Sequence, residues 1–240
     1  HNTVMIIFIL GIKGGIGKTT FSLYFAKKLA SMGKKVLYID YDYLSFGSLI
    51  LGHKGIGLVR EVEKGLPLYS NSLAHISGFY ILKLFTDPLD LNKINLVGDK
   101  IYIAIEKITD LDIEYIILDA SVGLMQDDII VTSLEKIELA EKGLFLSDIA
   151  SLNSAIKYSK LWGNLRYKAL AINMVPPLPE EIFESKNTAR ELYSLNIFDT
   201  VSVIPFDEKL YNYNPLLRDE DNERLNELLD SILNNKSKII

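Results

Sequence analysis

The chain has 240 residues, 48% hydrophobic and 24% charged, with a formal net charge of −5, a globular composition with a sizeable core rather than a disordered or positively coated one. It contains no cysteine, which excludes disulfide frameworks, zinc–thiolate sites, iron–sulfur clusters and thiol nucleophiles built from this chain. No apolar run approaches the roughly 20 residues of a membrane span and no basic leader precedes the first apolar run; a cytoplasmic protein is expected, with Met5 as the natural start and residues 1–4 an addition.

Met5 to Leu10 is a continuous apolar run ending at glycine, as expected of a strand buried on both faces. Lys18 to Met32 carries Phe21, Tyr24, Phe25, Leu29 and Met32 at helical spacing, and Gly33 is a natural stop. Val36 to Asp40 reads as a second buried strand and Phe79 to Phe85 as a third, closed by Thr86-Asp87-Pro88. Lys100 to Ile108 reads as a helix, although its Ile-Tyr-Ile-Ala-Ile alternation is equally that of a strand. Tyr115 to Asp119 is a buried strand ending in a carboxylate, and Leu144 to Leu146, Ala169 to Asn173 and Val201 to Ile204 follow as strands. Helices are expected at Ser151 to Trp162, Pro179 to Ser194 and Asp219 to Leu233, and Pro176-Pro177-Leu178-Pro179 forms a rigid loop too short to separate domains. Apolar strands alternating with amphipathic helices predict one α/β domain over residues 1–240, a mostly parallel twisted sheet covered on both faces, with ligands along the C-terminal strand edge.

Between the first strand and the first helix lies Lys13-Gly14-Gly15-Ile16-Gly17-Lys18-Thr19-Thr20. A bound nucleotide brings several negative charges that need closely spaced donors. Glycines let successive backbone N–H groups point inward, and the following helix adds the positive end of its dipole. Gly14, Gly15, Ile16 and Gly17 would form this cradle, Lys18 can reach the β- and γ-phosphates, and the Thr19 hydroxyl can hold Mg²⁺. The strict pattern G-x-x-x-x-G-K-[ST] wants glycine where Ile12 stands; the variant K-G-G-x-G-K-[ST]-[ST], with its additional Lys13, matches instead.

On these residues the chain resembles the ParA/MinD family, the deviant-Walker P-loop ATPases of DNA partition and division-site placement. Asp40-Tyr41-Asp42 resembles the family's D-x-D motif and Asp119-Ala120-Ser121-Val122-Gly123 its D-x-x-x-G Walker B segment. Asn173, and Ile204-Pro205-Phe206-Asp207, resemble its adenine-binding positions. The resemblance implies ATP/ADP and Mg²⁺ as cofactors. It implies that Lys13 reaches across an ATP-bound homodimer to the partner's transferring phosphate, that Asp42 orients the attacking water, and that Asp40 and Asp119 hold Mg²⁺ through its waters. Thr20 would touch the α-phosphate, and Asn173, Pro205 and Asp207 the base. Val122, where the family commonly has a small residue or proline, and Tyr43-Leu44-Ser45-Phe46, in place of its usual switch segment, depart from the pattern.

Other features read as ordinary. His1, His53 and His75 have no second ligand at metal spacing and are expected on the surface or in loops. Lys157, Lys160, Arg166 and Lys168, interleaved with Tyr158, Trp162 and Tyr167, form the most basic stretch, either a DNA-facing patch or a solvated face. Leu225, Leu228, Leu229, Ile232 and Leu233 make a core-docking stripe on the last helix; only Lys236 and Lys238, beside Ile239-Ile240, offer anything to a membrane. Three functions follow from the resemblance: a ParA-like partition ATPase acting with nonspecific DNA and a stimulating ParB-like partner, a MinD-like positioning ATPase using a membrane or protein scaffold with a MinE-like partner, or a nucleotide-binding assembly factor. The first is the leading expectation, with slow, partner-stimulated hydrolysis.

Overall fold

The computed structural model describes residues 3–137 and 139–240. In chain order its elements are β1 (Val4–Leu10), α1 (Lys18–Ser31), β2 (Val36–Tyr41), α2 (Phe46–Ile50), α3 (Leu58–Glu63), β3 (Leu73–Ile76), β4 (Phe79–Lys83), α4 (Gly98–Glu106), β5 (Tyr115–Ala120), α5 (Ile129–Glu135), β6 (Leu139–Ser147), α6 (Leu152–Lys160), β7 (Tyr167–Val175), α7 (Pro179–Ser194), β8 (Thr200–Pro205), α8 (Glu208–Tyr211), α9 (Glu223–Leu233) and β9 (Lys238–Ile239).

Among the described residues the strands form a nine-stranded sheet in the order β3-β4-β2-β5-β1-β6-β7-β8-β9. Every neighbouring pair is parallel except β3 and β4, which make a hairpin at one edge. The strand order reverses at β1, which lies between β5 and β6. In such sheets the crevice outside the strand C-termini at the reversal is where ligands sit.

The alternation of side chains along β1 builds two cores. Ile6, Phe8 and Leu10 face one, with residues of α3 to α7; Ile7 and Ile9 face the other, with α1 and α9. Trp162, the single tryptophan, is buried in the first core with its ring centroid 5.3 Å from that of Phe8. Its indole N–H donates to the Leu124 carbonyl at 3.2 Å, and the Tyr158 hydroxyl donates to the same oxygen. On the second face Leu225, Leu228, Leu229 and Ile232 of α9 are buried, as the stripe predicts. Among the described residues no helix is long and apolar enough to cross a membrane.

Several boundaries differ from the sequence reading. The segment at 100–108 is helical: Ile101, Ala104 and Ile105 are buried while Ile103 is exposed, a three-to-four-residue period that the apparent alternation conceals. The last helix begins at Glu223, because the Asn222 side chain caps it by accepting from the Leu225 N–H. β4 stops at Lys83, two residues earlier than expected, and α6 spans Leu152–Lys160. β3 was not anticipated. It pairs with β4 through the two-residue turn Ser77-Gly78, whose φ angles of 57° and 90° are those a tight hairpin demands. His53 lies in a loop, as expected, but is buried there; its Nδ1 accepts from the Gly55 N–H and its Nε2 lies 2.8 Å from the Ser72 carbonyl. His75 is exposed on β3, edge-on to Tyr80. His1 lies outside the described residues.

Candidate nucleotide site

The glycine loop leaves the C-terminal end of β1 and runs directly into α1. Gly17 takes φ 103°, and a Cβ there would lie 2.6 Å from the Asn173 amide nitrogen, so both backbone and space require glycine. Ile16 is buried, with its Cδ1 against Gly11, and anchors the loop from beneath. A Cβ at Gly14 or Gly15 would meet nothing within 4 Å, so both face open space.

Lys18 is buried at the base of this loop, its Nζ donating to the Lys13 carbonyl at 3.2 Å. Burial pushes its pKa below the ordinary lysine value, against the opposing pull of the Asp119 and Asp42 charges. The Thr19 hydroxyl donates to Asp119 Oδ2 at 2.8 Å. Thr20, half-buried, lines a neighbouring pocket described below.

The two strand-end aspartates sit side by side. Asp40 of β2 is the register partner of Asp119 of β5, and both are fully or almost fully buried. Burial, reinforced for Asp40 by the Asp119 charge, raises their pKa values to about 7 for Asp40 and about 6 for Asp119. Asp40 Oδ2 accepts from both the Ser48 N–H (2.9 Å) and the Ser48 hydroxyl (2.5 Å), while Oδ1 accepts from the Asp42 N–H at 3.3 Å. Asp40 therefore organises the 42–48 segment as well as flanking Asp119. Asp42, half-buried, lies past the strand end and accepts from the Phe46 N–H at 3.4 Å. Tyr41, between them, donates to Asp128 at 2.8 Å and stacks on Phe85. Asp128 in turn caps α5, so the ends of β2 and of the loop after β5 are tied together. Gly123 joins that loop to the base of the glycine loop, its N–H donating to the Gly11 carbonyl at 2.8 Å.

Lys13 stands at the rim, 47% exposed, with its Nζ 2.5 Å from Asp148 at the end of β6. Burial works to raise the Asp148 pKa, but the hydrogen bonds from Lys13 and Ser151 outweigh it and hold the carboxyl below its ordinary value. Nothing in the sequence linked Asp148 to Lys13; its place at a strand C-terminus beside the loop is the one signal it offers.

Asn173, Pro205 and Asp207 come together as expected. A pocket next to the glycine loop is lined by Gly17, Thr20, Phe21, Asn173, Met174, Pro205, Phe206, Asp207, Leu210 and Tyr211. Asn173 donates to the Ile16 carbonyl at 3.0 Å. It is aimed there by a register irregularity at the end of β7, where Met174 adopts φ 56°. Asp207 caps α8 by accepting from the Lys209 N–H. Phe206 and Tyr211, both exposed and with ring centroids 5.8 Å apart, were not singled out from sequence, yet they supply the aromatic wall of the pocket.

The basic stretch divides. Tyr158, Trp162 and Tyr167 are core residues and offer no stacking surface, and Lys168 is half-buried, donating to the Ser159 carbonyl. Lys157, Lys160 and Arg166 remain exposed. In the C-terminal segment, Lys236 and Lys238 pair with Asp230 and Glu227 on α9.

Comparisons with known proteins identify the family. The chain is 32% identical over 136 residues to an uncharacterized ATP-binding protein of Methanocaldococcus jannaschii, covering 51% of this chain and 47% of that protein. It is 31% identical over 134 residues to the cytosolic Fe-S cluster assembly factor Nubp2 homolog of Drosophila persimilis (52% and 51% covered). It is 32% identical over 113 residues to the chromosome-partitioning ATPase Soj of Thermus thermophilus (47% and 44% covered). The chain thus spans about half the length of the curated relatives it matches. In fold it is similar to the septum site-determining protein MinD of Pyrococcus horikoshii, solved in complex with Mg-ADP, with a TM-score of 0.71, 21% identity and 97% of each chain covered. Residues 7–214 match the family described as the CobQ/CobB/MinD/ParA nucleotide binding domain, and the chain belongs to that family of P-loop ATPases.

Proposed function

We propose that this protein is a Mg²⁺-dependent ATPase that dimerises with ATP bound and separates on hydrolysis, a switch of the ParA type serving DNA partition. The observation that carries the reading is the contrast between two lysines on one glycine loop. Lys18 is buried beside Asp119 and Asp42, whereas Lys13 stands at the exposed rim. Lys18 and the loop amides would bind the β- and γ-phosphates of a nucleotide in the same chain. Lys13, held meanwhile by Asp148, would turn outward to a phosphate bound in a second copy.

The oxygens present fit Mg²⁺. Thr19 and Asp119 converge to 2.8 Å, and both are hard ligands. Among the described residues no group of three or more His, Cys, Asp or Glu could enclose a metal. The site therefore suits an ion that takes its remaining ligands from phosphate and water. Mg²⁺ would neutralise phosphate charge; Asp119 and Thr19 would hold it, with Asp40 acting at one remove through water. Asp42 would orient the attacking water, and Asn173, Pro205 and Asp207, with Phe206 and Tyr211, would form the base pocket.

Size-exclusion chromatography with ATP and Mg²⁺ tests the switch. Wild type is expected to dimerise and Lys13→Ala to remain monomeric while still binding nucleotide; Asp42→Ala should accumulate as dimer. A Lys13→Ala variant that dimerised normally would remove the in-trans role. ATP-dependent DNA binding at two salt concentrations then separates partition from a membrane-based role, for which liposome co-sedimentation is the direct assay. The similarity to Nubp2 favours a second reading, a nucleotide-driven assembly factor. With no cysteine, this chain could not hold an iron–sulfur cluster by thiolates.

A further inference from the structure

Tyr38 lies in the middle of β2, fully buried, two residues before Asp40. Its hydroxyl donates to Asp119 Oδ2 at 2.6 Å, the same oxygen that accepts from Thr19. The ring is fixed edge-on against Phe79, with centroids 6.4 Å apart. Helix α2 closes on the phenol: a Cβ at Gly47 would lie 2.0 Å from the Tyr38 hydroxyl and 2.8 Å from the ring carbon bearing it. The next residue, Ser48, makes both hydrogen bonds to Asp40 Oδ2. Helix α2 thus bears on both buried carboxylates, on Asp40 directly and on Asp119 through the phenol.

We propose that Tyr38 is a positioning residue for the metal-binding carboxylate, and that its hydroxyl, backed by Gly47, sets the orientation of Asp119 and hence the affinity of the site for Mg²⁺. The inference rests on the Mg²⁺–nucleotide reading above. Two donors converge on Oδ2, but they are not equivalent. Thr19 is itself a candidate metal ligand: its oxygen could offer a lone pair to an ion while its proton still donates to Oδ2, and the ion would then give that hydroxyl an alternative anchor. Tyr38 has no such alternative, since its hydroxyl is enclosed between Asp119 and Gly47. It is the donor held by the fold alone, and it opposes rotation of the carboxylate about its terminal torsion. Groups that orient a metal ligand from behind govern affinity strongly, although they never touch the ion.

The test measures metal affinity rather than turnover. Mn²⁺ binding to the ADP-loaded full chain is followed by electron paramagnetic resonance, and ADP affinity is measured separately in EDTA. Tyr38→Phe is expected to weaken Mn²⁺ binding by about tenfold or more while leaving metal-free ADP affinity within about twofold. Gly47→Ala, which drives a methyl into the hydroxyl, should reproduce the same selective loss. An Mn²⁺ affinity within about twofold of wild type in Tyr38→Phe would overturn the proposal and leave the phenol as packing. If Tyr38→Phe does not fold, Gly47→Ala decides on the same criterion. Wild-type protein that bound ADP without Mn²⁺ would overturn the metal assignment and this inference together, whereas failure to bind ADP at all would overturn the functional reading beneath both.

Discussion

Lys18 and Lys142 are both buried, 9% and 4% exposed, and burial pushes both ammonium groups below the ordinary lysine value. Their surroundings differ. Lys142, in the first half of β6, donates to the carbonyls of Ile232 and Leu233, where α9 ends and its dipole is negative, and its Nζ lies 5.5 Å from the Tyr167 ring centroid. Lys18 has one main-chain acceptor at 3.2 Å, and its other favourable interactions are with the Asp119 and Asp42 charges across an open loop. An ammonium has three protons to donate. Where fixed carbonyls take two of them, the charge fastens a helix to a sheet; where one is taken beside an open loop, donors are left over, as the proposed phosphate role requires.

Three experiments probe this contrast. The largest effect is expected for Lys18→Ala, which should lower nucleotide affinity on the order of 100-fold, about 3 kcal/mol, with the apo melting temperature shifted by no more than about 2 °C. Calorimetric titration beside a thermal melt reads both numbers. Lys142→Met should show the reverse pattern. Losing hydrogen bonds from a charged donor costs about 1.5–3 kcal/mol, a drop of about 5 °C, while nucleotide affinity stays within about twofold. A Lys142 variant that lost binding without losing stability would end the distinction between the two lysines. The smallest effect concerns the anionic side of the site. The folded pKa of Asp40, about 7, lies above the ordinary carboxylate value of 3.8, so the native state keeps a proton that the unfolded chain has released. Apo stability should therefore fall as pH rises from about 4 to 7. Asp40→Asn should flatten that slope by a few degrees between about pH 4.5 and 7; melts of equal slope would count against the raised Asp40 pKa.

Much of this was legible in the sequence, for a physical reason. β1, β2 and β5 are central strands buried on both faces, so they read as unbroken apolar runs, and each ends in a chemically distinctive group: the glycine loop, Asp40 and Asp119. Elements that the sequence concealed are short or one-sided. α2, α3 and α5 have five to seven residues, too few for a helical period to show. β3 has four half-buried or exposed residues, although Ser77-Gly78 was a readable hairpin signal. Partnerships across the fold left no local trace. Tyr38 reads as one more apolar residue of Val36-Leu37-Tyr38-Ile39, and its acceptor, Asp119, comes from another strand. His53 sits between Gly52 and Lys54-Gly55, a composition that reads as an exposed turn, and only the fold brings Ser72 over it. The metal, base and in-trans roles themselves follow from the resemblance and await the experiments above.

The hydrogen bond from Trp162 to the Leu124 carbonyl also has a practical consequence. Leu124 follows Asp119-Ala120-Ser121-Val122-Gly123, so the only indole in the chain is attached to the segment that flanks the phosphates in the proposed site. Excited at the red edge of its absorption, the protein emits from this one fluorophore, in an apolar setting beside Phe8. Displacement of residues 121–124 would break the N–H bond and alter both wavelength and lifetime. Unlabelled protein thus offers an optical test of whether this segment moves when nucleotide is added.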